Sequence, residues 1–500
     1  MTDGAKNENS CPEVTRYERH TRLQEAAPKD SKFEPKDTAY FSYYSLLSHQ
    51  AQMLQDTTRT SVYQRAILSN AEDFFNGRIV MDVGAGNGIL SLFSAQAGAS
   101  AVYAVEASNM AQRLQTLLNA AKIPSTEEQK RDGLVCAQSG QIAIDMDGPR
   151  KPSNTWLKGR VKVVHSKMED VTPELLDGNE KVDTIVSECL GVLLIHERMC
   201  ESFIDARDRF LKPGGAMFPS AGTICLCPIE DKQLWVDTSK KAQWWCNEDF
   251  YGLDLTPLAD AAWEETFAAA IVGYFAPSVL LATSSDYTID FTTITKEALQ
   301  SFEMPVEWSF AQAAVVHGLG GWFDLHFLPS SSTTLGLLSG GSISNAPPPI
   351  FKPDLKKEEN MVDATAEELA DPTSAPLSST STSVYGGMHA SAASFQPSPL
   401  RAASLDAVIS GFSVAPSTSY MTTSPYAAVT HWQQVRFLLS DPIAVNKGQR
   451  LVGKILFEAN DQRSYDMHAE LYVADASGAP CKNHSLKRSA FWKLDRQTYC

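Results

Sequence analysis

The glycine-rich stretch Val80–Leu90, VMDVGAGNGIL, constrains the fold more than any other part of the sequence. Its glycines Gly84, Gly86 and Gly88 follow a β-branched run and precede a helical pattern. Because glycine has no Cβ, the backbone there can approach a ligand closely, and the start of the following helix offers unpaired N–H groups. The stretch therefore predicts a strand, a ligand-binding loop and a helix of an α/β sheet.

Short β-branched runs alternate with helical stretches on both sides of this loop. They occupy residues 78–82, 101–105, 161–165 and 182–186. Such alternation predicts a doubly wound, Rossmann-like parallel sheet. After Pro219 the pattern changes to strand-like runs separated by turn residues, which predicts an all-β second domain.

The remaining stretches are polar or low in complexity. Residues 1–39 are interpreted as a disordered tail, and residues 122–159 as a surface insertion, since they exceed what one crossover helix needs. Residues 330–420 are dense in Ser, Thr and Pro, which predicts a disordered insertion within the second domain. The other predicted boundaries are 40–218 for the α/β domain, 219–329 with 421–492 for the β domain, and 493–500 for a tail.

Charge and cysteine content narrow the class of protein. The 43 Lys and Arg residues against 59 Asp and Glu give a net charge of −16. This excess argues against a nucleic-acid footprint and favours a cationic partner, although solubility alone also explains it.

The longest apolar run, 267–282, is broken by Pro277 and is too short for a bilayer helix. The nine cysteines form no CxxC pair, and Cys225 and Cys227 fit one face of a strand, so we expect no metal site and reduced thiols.

The spacing around the glycine loop selects among nucleotide ligands. A dinucleotide fingerprint needs a glycine at position 89, which is Ile89 here, and this weakens an NAD interpretation. Glu106, at the end of the next strand run, could accept hydrogen bonds from two ribose hydroxyls and would repel a 2′-phosphate. S-adenosylmethionine fits these features better. The alternative is a tight turn with a solvated Glu106.

Two carboxylates bracket an apolar loop after the fourth strand run. Glu188 and Glu197 lie on either side of Gly191, at the carboxyl edge where α/β sheets bind ligands. Burying two acids together is costly unless a cation lies between them, and a planar guanidinium with five donors satisfies such a pair. The loop therefore indicates a site for a substrate arginine. The alternative places one glutamate at a helix N-terminus and the other on a solvated face.

This loop resembles the double-glutamate signature SExxGxxxxxE of the protein arginine methyltransferases. Further blocks of that family agree in order: residues 40–44, 56–63, 82–88 and 430–432. Within the family, the asymmetrically dimethylating (type I) coactivator-associated enzyme is the most similar. The resemblance implies a Rossmann-like methyltransferase domain of the seven-stranded type, followed by a β-barrel domain with a helical dimerisation arm near residues 232–258.

The resemblance also implies roles for individual residues. Catalytic roles fall on Glu188, Glu197, Asp56 and His431. Binding of S-adenosylmethionine falls on Gln50, Arg59, Gly84, Gly86, Glu106, Met168, Glu169 and Ser202. The substrate pocket comprises Tyr40, Tyr44, Met53 and Trp432. A methionine at position 53 implies asymmetric dimethylarginine as the product, and an ordinary structural hydrogen bond stays open for the Asp56 and His431 pair.

The implied partners are arginine-containing proteins, such as histones and RNA-binding proteins, and a second copy of the chain in a head-to-tail homodimer. Direct nucleic-acid or membrane binding is not expected, and the implied compartment is the nucleus, the cytoplasm or both. The loop departs from the family pattern at Cys189, Leu190 and Val192. Three alternatives therefore stay open: a catalytically weak cofactor-binding scaffold, a symmetric or monomethylating enzyme, and a small-molecule methyltransferase.

Overall fold

The structure, a computed structural model, describes residues 35–119, 157, 159–327, 419–474 and 487–499. In chain order its helices are α1 (Pro35–Tyr44), α2 (Leu47–Gln55), α3 (Thr57–Ser69), α4 (Ala71–Phe74), α5 (Ile89–Gln96), α6 (Met110–Asn119), α7 (Met199–Phe210), α8 (Lys232–Gln243), α9 (Ala259–Phe267) and α10 (Lys296–Gln300). The first sheet comprises β1 (Ile79–Val83), β2 (Ala101–Glu106), β3 (Val161–His165), β4 (Val182–Ser187) and β5 (Leu211–Phe218). The second comprises β6 (Ala221–Ile229), β7 (Ala269–Val272), β8 (Ser285–Asp290), β9 (Ser301–Ser309), β10 (Ala314–Phe327), β11 (Ser419–Thr422), β12 (Val435–Val445), β13 (Arg450–Ala459), β14 (Tyr465–Ala474) and β15 (Lys487–Tyr499).

The first sheet is parallel, with strand order β3-β2-β1-β4-β5. Its central strands read as apolar runs because helices cover both faces, and Val80, Val102 and Val186 are fully buried. The strand order reverses at β1, between β2 and β4, which is where ligands bind in doubly wound sheets. The resemblance implied the seven-stranded type. The described residues hold five strands in this sheet, because the chain leaves it after β5 for the second sheet.

The second sheet curls into a nearly closed barrel. Among the described residues it has ten strands, in the order β8-β6-β10-β12-β7-β15-β14-β13-β9, with β11 paired to β10. Its two edge strands meet where the Ser285 hydroxyl of β8 donates to the Glu307 carbonyl of β9 at 3.1 Å. Alternating side chains on strands such as β9 point inward, so that Trp308 and Trp492 fill the barrel core. The α/β sheet and barrel predicted from the sequence are both present.

Some predicted boundaries differ from the observed elements. The sequence from His431 to Leu438 is strand-like throughout and predicts a strand there, but β12 begins at Val435, so His431 and Trp432 lie in the preceding loop. Residues 493–499 were assigned to a tail, but they continue β15, which pairs with β14 and then runs parallel to β7. Helix α1 begins at Pro35, inside the segment expected to be a tail.

The two predicted insertions lie almost entirely outside the described residues. Of 122–159 the structure describes Leu157 and Gly159, and of 330–420 it describes Ser419 and Tyr420. Where the chain is described, none of its helices combines the length and the apolar character needed to cross a membrane.

Candidate active site

The glycine loop and two acidic residues meet at the carboxyl edge of the parallel sheet. Glu106 ends β2, the glycine loop follows β1, and Glu188 follows β4, so neighbouring strands deliver all three to the point where the strand order reverses. A cavity of about 660 Å³ opens there, within the range of roughly 300–1,000 Å³ that is usual for ligand pockets. The edge is therefore the candidate active site.

The glycine loop and Glu106 form one end of the cavity. The Glu106 carboxylate accepts hydrogen bonds from the backbone N–H groups of Gly86 and Ser108, both at 2.7 Å. Gly86 has a φ of +53°, and a Cβ there would lie 3.1 Å from the side-chain oxygen of Gln50. Glycine thus allows both the left-handed backbone and the close packing of Gln50, whose side chain also accepts from Asn87 at 2.8 Å.

The loop between β4 and α7 has an unusual backbone that only certain residues permit. A Cβ on Gly191 would lie 2.2 Å from the His196 carbonyl oxygen, so no larger residue fits without moving the loop. Glu197 and Arg198 have φ values of +75° and +56°, a costly conformation for residues with a Cβ. The indole N–H of Trp432 donates to the Leu190 carbonyl at 3.1 Å, which ties the barrel to this loop. The loop therefore carries strain that packing against the barrel offsets.

Glu188 is paired with a buried arginine of helix α3. Its Oε2 lies 2.9 Å from Nη1 of Arg59, which is itself buried. Burial raises the pKa of Glu188, and the positive charge of Arg59 offsets only part of that shift. The second oxygen, Oε1, accepts the Leu190 N–H at 3.3 Å.

Glu197 is held by two tyrosines of helix α1. Its Oε2 accepts from the Tyr40 hydroxyl at 2.8 Å and from the Tyr44 hydroxyl at 2.6 Å. Burial raises the pKa of Glu197, and the two hydroxyls partly offset this. Burial and the neighbouring carboxylate raise the pKa values of both tyrosines well above 10.0, so they remain donors.

Asp56 and His431, 375 residues apart in sequence, form a hydrogen-bonded pair. Asp56 precedes α3, where its Oδ1 caps the Arg59 N–H at 2.8 Å, while its Oδ2 accepts from both the N–H and Nδ1 of His431 at 2.8 Å. Burial opposes ionisation of Asp56, but these hydrogen bonds outweigh it and lower the pKa of the carboxyl. Since an ionised carboxylate only accepts, His431 carries its proton on Nδ1 when neutral, and Nε2 is left as an acceptor.

The charges lining the cavity suit cationic ligands. They comprise three carboxylates, of Glu106, Glu188 and Glu197, against the single guanidinium of Arg59. Burial lowers the pKa of His196, which also lines the cavity, to about 4, so this side chain is neutral at pH 7. The described residues contain no group of three or more His, Cys, Asp and Glu side chains placed to hold a metal ion.

The donor and acceptor set also fits S-adenosylmethionine. Each Glu106 oxygen keeps lone pairs for a ribose hydroxyl. Nε of Arg59 has no hydrogen-bond partner among the described residues, which leaves a buried donor for the carboxylate of an amino acid. Gly84 has a left-handed backbone conformation, with a φ of +73°, and it lines the same cavity as Glu106 and Arg59.

Most of the predicted site residues share this cavity. Those lining it are Tyr40, Tyr44, Gln50, Met53, Arg59, Gly84, Gly86, Glu106, Glu188, Glu197, His431 and Trp432. Asp56 does not line the cavity, but it is hydrogen-bonded to His431, which does. Met168, Glu169 and Ser202 do not line it, and the Ser202 hydroxyl instead donates to Glu169 at 2.6 Å.

The sequence patterns do not predict several of the residues that line the cavity. Gln497 and Tyr499 arrive on β15, in a segment assigned to a tail, and the inward alternation of Trp492 and Leu494 was the missed signal for that strand. His49, beside the predicted Gln50, gave no signal of its own. Of the residues that depart from the family pattern, Leu190 and Val192 line the cavity, whereas Cys189 is buried behind it.

The predicted arm presents apolar side chains to solvent. Trp244 is 51% exposed and Tyr251 is 96% exposed, and both follow helix α8. Trp235, within α8, packs into the protomer instead, because its indole N–H donates to the Leu439 carbonyl at 2.8 Å. Large apolar side chains that are exposed to solvent and close together in sequence are typical of a surface that another chain covers.

Comparisons with known proteins agree with this architecture. The profile described as "Arginine methyltransferase oligomerization subdomain" matches residues 220–340 and 377–475, and that of a ribosomal protein L11 methyltransferase matches residues 47–129. A probable histone-arginine methyltransferase CARM1 from Oryza sativa subsp. indica is 32% identical over 443 residues, which is 88% of this chain and 60% of that protein. The histone-arginine methyltransferase CARMER of Culex quinquefasciatus is 32% identical over 453 residues, 90% of this chain and 54% of that protein. The chain thus spans little more than half the length of these relatives.

Solved structures share the fold. Arabidopsis thaliana protein arginine methyltransferase 10, in an open conformation, aligns with a TM-score of 0.61 at 24% identity, covering 91% of this chain and 100% of that one. The Trypanosoma brucei PRMT1 enzyme-prozyme heterotetramer with AdoHcy aligns with a TM-score of 0.56 at 20% identity, covering 90% of this chain and 99% of that one.

Proposed function

Because this chain is a homologue of the protein arginine methyltransferases, we propose that it transfers methyl groups from S-adenosylmethionine to arginine side chains of proteins. The observation that carries the proposal is the pair of partly buried carboxylates, Glu188 and Glu197, facing one cavity with the glycine loop and Glu106. Arg59 pairs with Glu188, but the two glutamates together with Glu106 leave the cavity lining with a net negative charge, which a cationic cofactor and a guanidinium would offset.

The proposed chemistry rests on charge. When bound, S-adenosylmethionine supplies an electrophilic methyl group on a positively charged sulfonium. Glu188 and Glu197 bind the guanidinium of the substrate, offset its repulsion from that second positive charge, and orient one terminal nitrogen for attack. Asp56 keeps the His431 proton on Nδ1, so that Nε2 can take up the proton that the methylated guanidinium releases. Glu106 binds the ribose, while Gln50, Arg59, Gly84 and Gly86 bind the rest of the cofactor.

The proposed product is asymmetric dimethylarginine, preceded by the monomethyl form. Met53 lines the cavity beside Tyr40 and Tyr44, and a flexible thioether leaves room for a second methyl group on the same nitrogen. We extend the proposal to Met168, Glu169 and Ser202, which would contact the adenine end, and to Trp432 in the substrate pocket. Histones and RNA-associated proteins are the proposed substrates, acted on in the nucleus, the cytoplasm or both.

Mass spectrometry of an arginine peptide tests this function. Purified protein with S-adenosylmethionine and a histone-tail peptide should add one and then two methyl groups to arginine, and fragmentation should give the neutral loss of dimethylamine that marks the asymmetric product. Methylation of lysine or of small molecules only would defeat the proposal. Cofactor binding without any transfer would identify the scaffold alternative, for which Leu190 and Val192 in the cavity lining are the specific grounds.

The pH profile is expected to show an acid limb at unusually high pH. Burial raises the pKa values of Glu188 and Glu197 above the usual 4.5, and both must be ionised to bind the cation. Activity should therefore be complete above these raised pKa values and fall as pH drops through them, with a slope in log(kcat/KM) approaching 2. The limb in kcat should lie lower, since bound guanidinium favours the ionised forms. Circular dichroism at each pH controls for unfolding, and an acid limb at or below 4.5 in kcat/KM contradicts the expectation.

The proposed assembly is a head-to-tail homodimer in which the arm, residues 232–258, packs on the partner. The exposed rings of Trp244 and Tyr251 support this, as do the exposed leucines Leu47 and Leu54 of helix α2, which offer an apolar receiving surface.

Replacing Trp244 and Tyr251 together by alanine should convert dimer to monomer. Buried aromatic anchors contribute about 2 kcal/mol or more each, so the loss of both should raise the dimer Kd by about 1,000-fold or more. Analytical ultracentrifugation over a concentration series measures this. Tyr426→Ala is the matched control, because Tyr426 is similarly exposed but lies outside the arm. A double variant that stays dimeric at the parental Kd would remove the arm from the interface.

A further inference from the structure

A five-residue turn of the barrel, Asn460 to Ser464, contacts Glu197 through three of its neighbours. The turn joins β13 to β14. We propose that it is a positioning element that fixes the Glu197 carboxylate and holds helix α1 against it. This inference rests on the proposed arginine methylation for its kinetic consequences, but its structural consequence can be measured without any activity.

The turn forms hydrogen bonds with the loop between β4 and α7 on both sides of Glu197. The Ser464 hydroxyl lies 2.8 Å from Nδ1 of His196, the residue before Glu197. Nη1 of Arg198, the residue after it, donates to the Asn460 carbonyl at 2.9 Å. Because Glu197 and Arg198 both have left-handed backbone conformations, which cost energy, contacts on each side are needed to hold them.

The turn also holds the helix that binds Glu197. The guanidinium of Arg463 lies over the ring of Tyr40, 4.4 Å from its centroid, and 5.9 Å from that of Phe41. The Tyr40 hydroxyl in turn donates to Glu197 at 2.8 Å. A cation–π contact with a partly buried ring is favourable, so this contact helps to hold helix α1 against the barrel.

The turn is itself rigid, as a positioning element must be. The side-chain oxygen of Asn460 accepts the N–H groups of Gln462 and Ser464 at 3.0 and 3.1 Å. Its side-chain nitrogen donates to Asp466 and Asp495, at 2.9 and 2.8 Å. Movement of one contact would therefore disturb the others.

Arg463 also acts on the charge of Glu197. The groups facing Glu197 from the elements around it are Tyr40 and Tyr44 of α1, Glu188 across the cavity, Tyr499 of β15, and Arg463. Arg463 is the one cation in that set, and its charge favours the ionised carboxylate. Ser464 and the neutral His196 act on position alone.

Three variants separate position from charge. Arg463→Met removes the charge and keeps an unbranched side chain, Arg463→Lys keeps the charge, and Ser464→Ala removes one neutral hydrogen bond. Lys447→Met is the matched control, since Lys447 lies in the turn between β12 and β13, at the far end of the ten-residue strand β13, roughly 30 Å away. Each is measured by amide hydrogen exchange of residues 35–44 in the ligand-free protein, and by kcat, KM for peptide and the acid limb of kcat/KM.

In Arg463→Met we expect exchange of residues 35–44 to accelerate roughly 5- to 30-fold and kcat/KM to fall by a similar factor. Its acid limb should move up by about 0.5 pH unit or more, because a positive charge near Glu197 has been removed. In Arg463→Lys, which keeps the positive charge, the acid limb of kcat/KM should stay at its parental pH. Ser464→Ala should lower kcat about fivefold with an unchanged limb.

Parental exchange of residues 35–44 in Arg463→Met overturns the proposal, whether or not the parent protein is active. In an active parent, an unmoved acid limb in that variant together with full kcat in Ser464→Ala also overturns it. An inactive parent with accelerated exchange in Arg463→Met contradicts arginine methylation and leaves the turn's hold on α1 supported, so the two failures are distinguishable.

Discussion

Replacing Glu197 by glutamine is expected to lower kcat for arginine methylation on the order of 10²- to 10³-fold, with cofactor affinity unchanged. Glutamine keeps the size of the side chain and can still accept from Tyr40 and Tyr44 at the present distances of 2.8 and 2.6 Å. It lacks the charge that offsets repulsion between two cations, which is the largest contribution such a site makes to the rate. Single-turnover kinetics with a histone-tail peptide measures the loss.

Glu188→Gln should lose a similar factor in rate and also stability. Its carboxylate is the ion-pair partner of buried Arg59, at 2.9 Å, and removing one member of a buried pair leaves the other charge uncompensated. We therefore expect a clearly lower Tm for Glu188→Gln than for Glu197→Gln. Glu303→Gln is the control, because Glu303 is a half-exposed glutamate on β9, outside the cavity lining, paired to Lys454. If Glu197→Gln keeps kcat within about threefold of the parent, the two-carboxylate mechanism is wrong.

Glu106→Ala is expected to weaken S-adenosylmethionine binding by roughly 100-fold or more. Each oxygen of the Glu106 carboxylate accepts a backbone N–H at 2.7 Å, which fixes the orientation of the side chain toward the cavity. A hydrogen bond from a ribose hydroxyl to such a charged group contributes about 1.5–3 kcal/mol. The substitution also leaves the Gly86 N–H without its acceptor, which loosens the glycine loop. Isothermal titration calorimetry with S-adenosylmethionine, and with S-adenosylhomocysteine as the inert analogue, gives the change in Kd.

Two comparisons make the Glu106 result specific. Glu72→Ala removes an exposed acid from helix α4, outside the cavity lining, and should bind cofactor at parental affinity. Glu106→Gln keeps the shape but donates where it should accept, so its affinity should fall between those of the parent and Glu106→Ala. A Glu106→Ala variant with a Kd within about threefold of the parent would place the ribose elsewhere.

Local patterns in the chain were sufficient for the α/β half of the fold. The strand runs at 101–105 and 161–165 correspond to β2 and β3, since uninterrupted β-branched runs between helical stretches have few other stable arrangements. The barrel was harder to delimit. The run 431–438 mixes loop and strand. The last part of β15, residues 493–499, falls in the segment predicted to be a tail, because half-exposed strands rich in charged residues alternate weakly.

The site residues divide in the same way, into those that local motifs predict and those that only the tertiary structure brings to the cavity. Glycines at 84 and 86 and the acids at 106, 188 and 197 stand in short motifs, and all line the cavity. Gln497 and Tyr499 carry no motif and reach the cavity only because β15 continues past Trp492 alongside β7. Met168, Glu169 and Ser202 were assigned by resemblance and lie outside the lining of the cavity.

The amino-acid sequence by itself determined the glycine loop, the acid that ends β2 and the two glutamates of one loop, because each depends on residues close together in the chain. Only the tertiary structure decided that Tyr40 reaches Glu197, that Asp56 meets His431 and that the turn at 460–464 braces the loop. These contacts join segments between 150 and 400 residues apart, and they form through the combined packing of two sheets rather than through any local preference of the residues involved.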